Sequence, residues 1–246
     1  MVTHLVVSVG FGWAMRATAF LFLGLLIIGN LTVRSRLPPP KRKFNPKAFV
    51  TPFSETPFLL LTIAAFTINL GAFLPFNFII VQAKAQGMSA ALAGYVVPII
   101  NASSTFGRII PAHIGDRVGV FNMMLLCTLL GGIFTLAIWL PGHSNATIIV
   151  YGIVYGFTSG CTLSIIPAII ASMSDVRDLG TRTGSLYLFV AIAVLIGNPI
   201  GGAIVSKQHG QYSGLIIFAG VTALLGTVIA FFSRQALVKG QLWKKV

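Results

Sequence analysis

The sequence predicts an all-α, polytopic membrane protein with about seven transmembrane helices. Of its 246 residues, 56% are hydrophobic and 9% are charged, whereas soluble proteins carry about 25% charged residues. The chain also contains seven apolar stretches. Each is close to the roughly 20 residues that a helix needs to cross the hydrocarbon core of a bilayer. Lipid is therefore the expected solvent for most of the chain.

Each predicted span is bounded by polar or turn-forming residues. The spans are 12–33, 57–82, 90–113, 121–140, 147–173, 183–206 and 214–233. They are too long and too uniformly apolar for barrel strands, and helices satisfy their own backbone hydrogen bonds in lipid. We therefore divide the chain into a first helix with a short lead (1–33), a linker (34–56), a six-helix bundle (57–233) and a tail (234–246).

The basic residues are concentrated in alternate connections. The linker, the tail and the turns near 108–120 and 174–182 carry most of them: Arg34, Arg36, Lys41, Arg42, Lys43, Lys47, Arg108, Arg117, Arg177, Arg182, Arg234, Lys239, Lys244 and Lys245. Because basic residues near span ends stay cytoplasmic, we expect the N-terminus outside and the C-terminus in the cytoplasm. The pattern does not distinguish a plasma membrane from a vacuolar one.

Several function classes are excluded by what the sequence lacks. The net charge of +13 is explained by topology, so it does not indicate a nucleic-acid partner. The run Lys41–Lys43 could also bind a membrane surface, but the surrounding prolines favour a stiff linker. No HExxH, paired-Cys or Walker-type motif is present. We therefore expect neither an enzyme nor a bound metal or cofactor.

The third span carries a polar stripe, which is the main candidate for a binding site. Its residues follow the spacing i, i+3, i+4 and i+7 of one helix face: Asn101, Ser104, Thr105 and Arg108. An arginine inside lipid costs about 2.5–3.5 kcal/mol, so it indicates function by default. Its planar fork of five donors suits a carboxylate. The alternative is that the long Arg108 side chain snorkels to the lipid headgroups on the cytoplasmic side and binds no substrate.

The second span offers another candidate face. Asn69, Phe73 and Asn77 recur at intervals of four, which places them on one side of a helix. They could face a substrate or bond a neighbouring helix, and the sequence favours neither.

The fifth span carries small residues at every fourth position. These are Gly152, Gly156, Gly160, Ser164, Ala168 and Ser172. Small residues at this spacing let a second helix backbone approach closely. We interpret the repeat as a packing face rather than a ligand site.

The segment after the third span resembles a signature of the major facilitator superfamily. Its Asp-x-x-Gly core, with Arg in second place, is Asp116, Arg117 and Gly119, although Ala112 stands where the superfamily pattern has Gly. In that superfamily the acidic residue and neighbouring arginines hold the cytoplasmic ends of adjacent helices together in one state of the transport cycle. The resemblance therefore implies a cytoplasmic gate at these three residues.

Three further segments resemble the fungal-type branch of the monocarboxylate porter family: 10–16, 179–185 and 197–203. The likeness covers nearly the whole chain, as helices six to twelve of a twelve-helix fold. In this frame 1–33 is the sixth helix and 57–233 the C-terminal half. The resemblance implies that Arg108 binds the carboxylate. Animal members place an Asp, proposed to exchange a proton, where this chain has Ser104, which cannot titrate.

The expected function is secondary active transport of a monocarboxylate or related organic anion by alternating access, with a proton as the candidate symport ion. The polar face of the third span would otherwise meet lipid, so we expect a truncated or half-length chain that pairs with an N-terminal half or forms a homodimer. A non-transporting remnant or regulatory partner of a full-length transporter is the alternative. A seven-helix receptor fits less well, because the seventh span has no ligand Lys and both cysteines are mid-span.

Overall fold

A computed structural model describes residues 2–34 and 46–238, in two units, residues 1–44 and 45–246. Each unit is described here by itself. The proposed surface run Lys41–Lys43 and the tail residues 239–246 lie outside the described residues. The first unit contains one helix, α1 (Val2–Thr32), which bends at Gly10, where φ is +79°. An L side chain rarely adopts this angle, which explains the glycine.

All the regular secondary structure of the second unit over residues 46–238 is helical, which confirms the predicted all-α class. Its helices are α2 (Thr56–Ala72), α3 (Leu74–Ala85), α4 (Ala90–Val118), α5 (Val120–Phe134), α6 (Asn145–Ser172), α7 (Leu179–Lys207) and α8 (Ser213–Val238). A π-helical turn, Thr135–Trp139, extends α5, and two 3₁₀ turns, Pro46–Phe49 and Thr51–Ser54, precede α2. With α1, seven segments of the described chain are long and apolar enough to cross a membrane.

The second span is broken in its middle. It comprises α2 and α3, which meet at Phe73. Pro75 has no N–H and its ring crowds the preceding turn, so an uninterrupted helix is disfavoured here. The Tyr155 hydroxyl donates to the carbonyl of Ala72, beside the break. A neighbouring helix thus satisfies a backbone group at the point where the regular pattern ends.

Helices α4 and α6 form one of the two most extensive helix contacts in this unit, together with α2 and α8. A Cβ atom on Gly156 would collide with the carbonyl oxygen of Ile100, and one on Gly160 with that of Ser104. On the opposite helix, a Cβ on Gly107 would collide with the carbonyl of Phe157. The predicted role of the small residues in close packing is therefore confirmed at Gly156 and Gly160.

Two apolar clusters form the core along the length of the bundle. One lies toward the end at which α2 begins and is built around buried residues such as Phe58, Phe121 and Ile169. The other lies toward the opposite end, with Trp139 and Tyr151 stacked at a centroid distance of 4.9 Å. The middle of the bundle, between the clusters, is where polar side chains are found.

We call the end containing the α4–α5 and α6–α7 connections the basic end, and the end containing the α3–α4, α5–α6 and α7–α8 connections the far end. At the basic end, Arg182 on α7 pairs with Glu55, which precedes α2, with one N···O distance of 2.9 Å. Arg182 also donates to the Met173 carbonyl and lies 5.6 Å from the Phe58 ring centre. One side chain therefore joins α2, the end of α6 and α7.

The last helix runs further than the sequence indicates. The predicted span ends at 233, but α8 continues to Val238. Arg234, which the sequence pattern assigns to a solvated tail, is only 3% exposed. The reason is that Ser233 donates to the Pro57 carbonyl and holds this turn of α8 against the start of α2.

The glycine contact between α4 and α6 predicts a steric cost of substitution. Replacing Gly156 with Leu should lower the free energy of unfolding by about 1–3 kcal/mol, because the side chain forces apart two closely packed backbones. Gly94→Leu is the matched control, since Gly94 is exposed and a Cβ there meets no atom within 4 Å. The measurement is thermal unfolding of the detergent-solubilised chain followed by tryptophan fluorescence. Equal losses in both variants would contradict the packing role.

The contacts of Arg182 predict unequal costs for removing the two members of its ion pair. Glu55→Gln should cost at most about 1 kcal/mol, because the carboxylate is nearly half exposed and screened by water. Arg182→Ala should cost more, since it also removes the bond to Met173 and the contact with Phe58. The same unfolding assay checks the order. A larger effect of Glu55→Gln would show that the ion pair alone connects these helices.

Candidate functional site

A cavity lies in the middle of the second unit, among α2, α5, α6 and α8. Its volume is about 40 Å³, which is room for roughly three waters at about 10–15 Å³ each. Its polar side chains are Asn69, Cys127, Thr128, Thr135, Tyr155, Thr158, Ser159 and Thr162. Gly131 and Gly132 allow α5 to line it closely. We call this space the central cavity.

Asn69 lines the central cavity and is 1% exposed. Its Nδ2 group donates to the Ala65 carbonyl over 2.8 Å. A carbonyl can only accept, so this bond fixes the orientation of the amide. The Oδ1 atom is buried and has no hydrogen-bond partner in the described part of the protein. An unpaired buried acceptor costs about 1–3 kcal/mol, which makes this the feature of the cavity most in need of explanation.

The hydroxyl groups around the central cavity all have an acceptor for their proton. Thr128, Thr158 and Thr162 donate to backbone carbonyls of their own helices, at 2.8, 3.1 and 3.1 Å. Thr135 and Ser159 do the same, at 2.7 and 3.2 Å. The oxygens of these groups remain available as acceptors. With Asn69 Oδ1, they give the cavity a wall that accepts hydrogen bonds.

Aromatic rings adjoin the central cavity beside the α2–α3 break. Phe73 forms part of the lining and lies 6.1 Å from Phe76, measured between ring centres. Phe76 is in edge contact with Tyr155 at 5.8 Å. Asn69 and Phe73, two members of the predicted face, thus both line the central cavity. Asn69 contributes a polar amide to the lining and Phe73 an apolar ring.

The third member of that predicted face, Asn77, does not line the central cavity. It is exposed and donates from Nδ2 to Asn198 Oδ1 on α7 over 2.8 Å. The regular helix is interrupted at Phe73, between Asn69 and Asn77, and the two asparagines lie in different surroundings. Asn77 therefore forms a hydrogen bond to a neighbouring helix. This is the second of the two alternatives that the sequence left open.

The polar stripe of α4 is divided between two surroundings. Ser104 is 4% exposed and faces Gly160 of α6. Asn101, Thr105 and Arg108 are exposed on the surface of this unit, and Thr105 donates to the Asn101 carbonyl over 3.2 Å. Within residues 46–238, Arg108 has no ion-pair partner. None of the four lines the central cavity.

The three residues of the signature lie at the junction of α4 and α5. Gly119 is the single residue between the two helices, with φ +107° and ψ +130°. Only glycine adopts this conformation without strain, so the tight turn explains its presence. Asp116 and Arg117 are exposed on the last turn of α4. In the described part of the chain, neither forms an ion pair.

Sequence reasoning missed Tyr155 and the threonines of the central cavity. A signal existed for Tyr155, because a phenol in the middle of an apolar, glycine-rich span needs a hydrogen-bond partner. The threonines gave no such signal, since each can bond its own helix. Their convergence depends on how α5 and α6 are rotated against α2.

Comparison with known proteins agrees with this architecture. A family model described as Major Facilitator Superfamily matches residues 112–242. The chain is 44% identical over its full length to an MFS-type transporter of Gibberella moniliformis, covering 59% of that protein. It is 43% identical, again over its full length, to MFS-type transporter 1 of Ophiocordyceps sp., covering 55% of it.

A further relative is the fujikurins efflux protein of Gibberella fujikuroi, 35% identical over 99% of this chain and 53% of that protein. The chain thus spans a little over half the length of the relatives that it matches. The family match, the full-length similarity and the all-helical bundle lead to one conclusion: the chain belongs to the major facilitator superfamily.

Proposed function

We propose that this chain forms the C-terminal half, with the preceding helix, of a secondary transporter that exports an organic anion. A monocarboxylate is the substrate that the resemblance to monocarboxylate porters favours. Outward transport is proposed by analogy with the relative named as an efflux protein. The mechanism would be alternating access, in which two six-helix halves rock about a site at the midplane.

The observation on which the proposal rests is the exposed polar face of α4. Asn101, Thr105 and Arg108 are exposed in the middle of an otherwise apolar helix. Arg108 precedes the end of the predicted span at 113 by five residues, or about 7.5 Å at 1.5 Å per residue. A guanidinium at this depth is costly in hydrocarbon. A second half, with a water-filled cleft between the two, would remove that cost.

The chemistry of this face suits an anion. The guanidinium of Arg108 keeps its charge and presents planar donors that match a carboxylate. The four acidic residues of the chain are Glu55, Asp116, Asp175 and Asp178, and all lie at the basic end of the unit. Because none of them neutralises Arg108 in the middle of α4, we propose that the substrate supplies the negative charge. Ser104 cannot titrate, so coupling to a proton would need a group elsewhere.

The basic end would face the cytoplasm, since positively charged connections are retained there. The Asp116, Arg117 and Gly119 turn would then act as a cytoplasmic gate. Because Gly119 is the only residue between α4 and α5, the two helices would move together. The charged pair before it would bind the cytoplasmic end of the companion half in one state and release it in the other.

The companion half supplies the first test. We expect saturable uptake of ¹⁴C-labelled 4-hydroxyphenylacetate into inside-out vesicles that contain this chain and the amino-terminal half of the Gibberella moniliformis relative. The chain alone should give background uptake. Arg108→Gln should reduce uptake at least about tenfold, because a charge-assisted pair with the carboxylate is worth about 1.5–3 kcal/mol.

Arg177→Gln is the matched control, since it removes the same charge from an exposed turn and should leave uptake unchanged. Equal uptake by Arg108→Gln and the parent would exclude the anion site on α4. Saturable uptake by the chain alone would instead indicate a homodimer.

The proposed gate predicts a kinetic effect distinct from loss of binding. Asp116→Asn should lower the maximal uptake rate several-fold with little change in the half-saturation concentration, because the residue would act on helix movement and not on substrate. Initial-rate uptake over a range of substrate concentrations measures both quantities, with Asp175→Asn as the control. A change confined to the half-saturation concentration would contradict the gate.

A further inference from the structure

The central cavity contains an orphan acceptor whose presence the packing of the bundle does not explain. Asn69 Oδ1 is buried without a partner among the described residues, although a leucine of similar size could fill the same place. Its amide cannot turn over, because the Ala65 carbonyl requires the Nδ2 donor at 2.8 Å. Something outside the helix bundle must therefore donate to Oδ1 if its polarity is to be compensated.

The neighbouring hydroxyl groups do not supply that donor. Thr128, Thr158 and Thr162 each give their proton to a carbonyl one helical turn earlier. The Tyr155 phenol gives its proton to the Ala72 carbonyl at the helix break. A hydroxyl that has donated its single proton can only accept a further bond. The polar wall of the central cavity is therefore complementary to a donor.

The charge of that donor is also restricted. A carboxylate can only accept, so it would meet Asn69 Oδ1 with no hydrogen between two oxygens. An ammonium group could donate, but a buried cation needs a neutralising partner, and no acidic residue lines the central cavity. A neutral donor remains: water, or a hydroxyl group or amide N–H of a bound molecule.

The size of the cavity indicates which part of a molecule enters it. A volume of about 40 Å³ accommodates a single polar group rather than a whole organic substrate. Phe73 lies at the lining, and Ile68 and Leu163 add apolar surface. One hydroxyl group that reaches Asn69, on a molecule whose apolar body stays outside the cavity, matches both the volume and the chemistry.

From these observations we infer that the central cavity recognises a neutral hydrogen-bond donor, a hydroxyl or amide N–H, on the apolar part of the transported molecule. This inference rests on the proposed function and deepens it. The substrate then has two separated polar features: an anionic group and, apart from it, a donor that is received by Asn69 Oδ1. Organic acids without such a donor are bound more weakly.

The test compares two acids that differ in the donor alone. ¹⁴C-labelled 4-hydroxyphenylacetate and 4-methoxyphenylacetate have the same ring and carboxylate, but the methoxy oxygen cannot donate. Their equilibrium binding is measured by scintillation proximity on the chain paired with the amino-terminal half of its relative, in nanodiscs. We expect the hydroxy acid to bind roughly tenfold more tightly, because the methoxy compound leaves the buried acceptor unpaired.

Asn69→Leu should abolish this preference, and Asn122→Leu is the matched control. Asn122 makes the same amide bond to the carbonyl four residues earlier, at 2.9 Å, but does not line the central cavity. Asn69→Leu should remain folded with a melting temperature at least equal to that of the parent, because it removes an unpaired buried acceptor. A clear loss of melting temperature would show that Asn69 is paired within the bundle and would overturn the inference.

Every other outcome has a defined meaning. Equal binding of the two acids, absence of binding by both, or a preference that survives Asn69→Leu overturns the inference. A preference that depends on Asn69 without vesicle uptake supports the inference and contradicts the proposed transport. Uptake that depends on Arg108, without any preference for the hydroxy acid, supports the proposed transport and contradicts the inference.

Discussion

The structure depends on one constraint: hydrocarbon offers no hydrogen-bond partner, so each polar group in a span must find one in its own helix, in a neighbouring helix or in a wet cleft. Most threonines of the spans use the first solution and bond the carbonyl one turn earlier. Asn77 uses the second, through Asn198. Asn69 Oδ1 and Arg108 on the exposed face of α4 use neither solution among the described residues, and the candidate sites are found at these two places.

Close packing and the helix break together create the central cavity. Gly156 and Gly160 bring α6 against α4, while the regular helix is interrupted at Phe73, between α2 and α3. Tyr155 connects these two features, because it lies on α6 and bonds the Ala72 carbonyl beside the break. The central cavity is thus bounded in part by backbone groups, which are harder to deform than side-chain rotamers.

The two ends of the helical unit differ in how they are held. The basic end is fixed by Arg182, which joins Glu55, Met173 and Phe58. The far end is packed by stacked aromatic rings, with Trp139 donating to Gln82. The basic end is thus held by a charged group near water, and the far end by apolar packing.

The sequence by itself determined the helical class, the seven spans and the positions of the small-residue contacts, because these follow from hydrophobic length and from local spacing along one helix. It also identified Asn69 and Phe73 as polar and aromatic members of one face. Only the tertiary structure decided that Ser104 leaves the Arg108 face for Gly160, that Asn77 turns to Asn198, and that Arg234 is buried. These outcomes depend on how the helices rotate against one another, which no pattern within a single helix encodes.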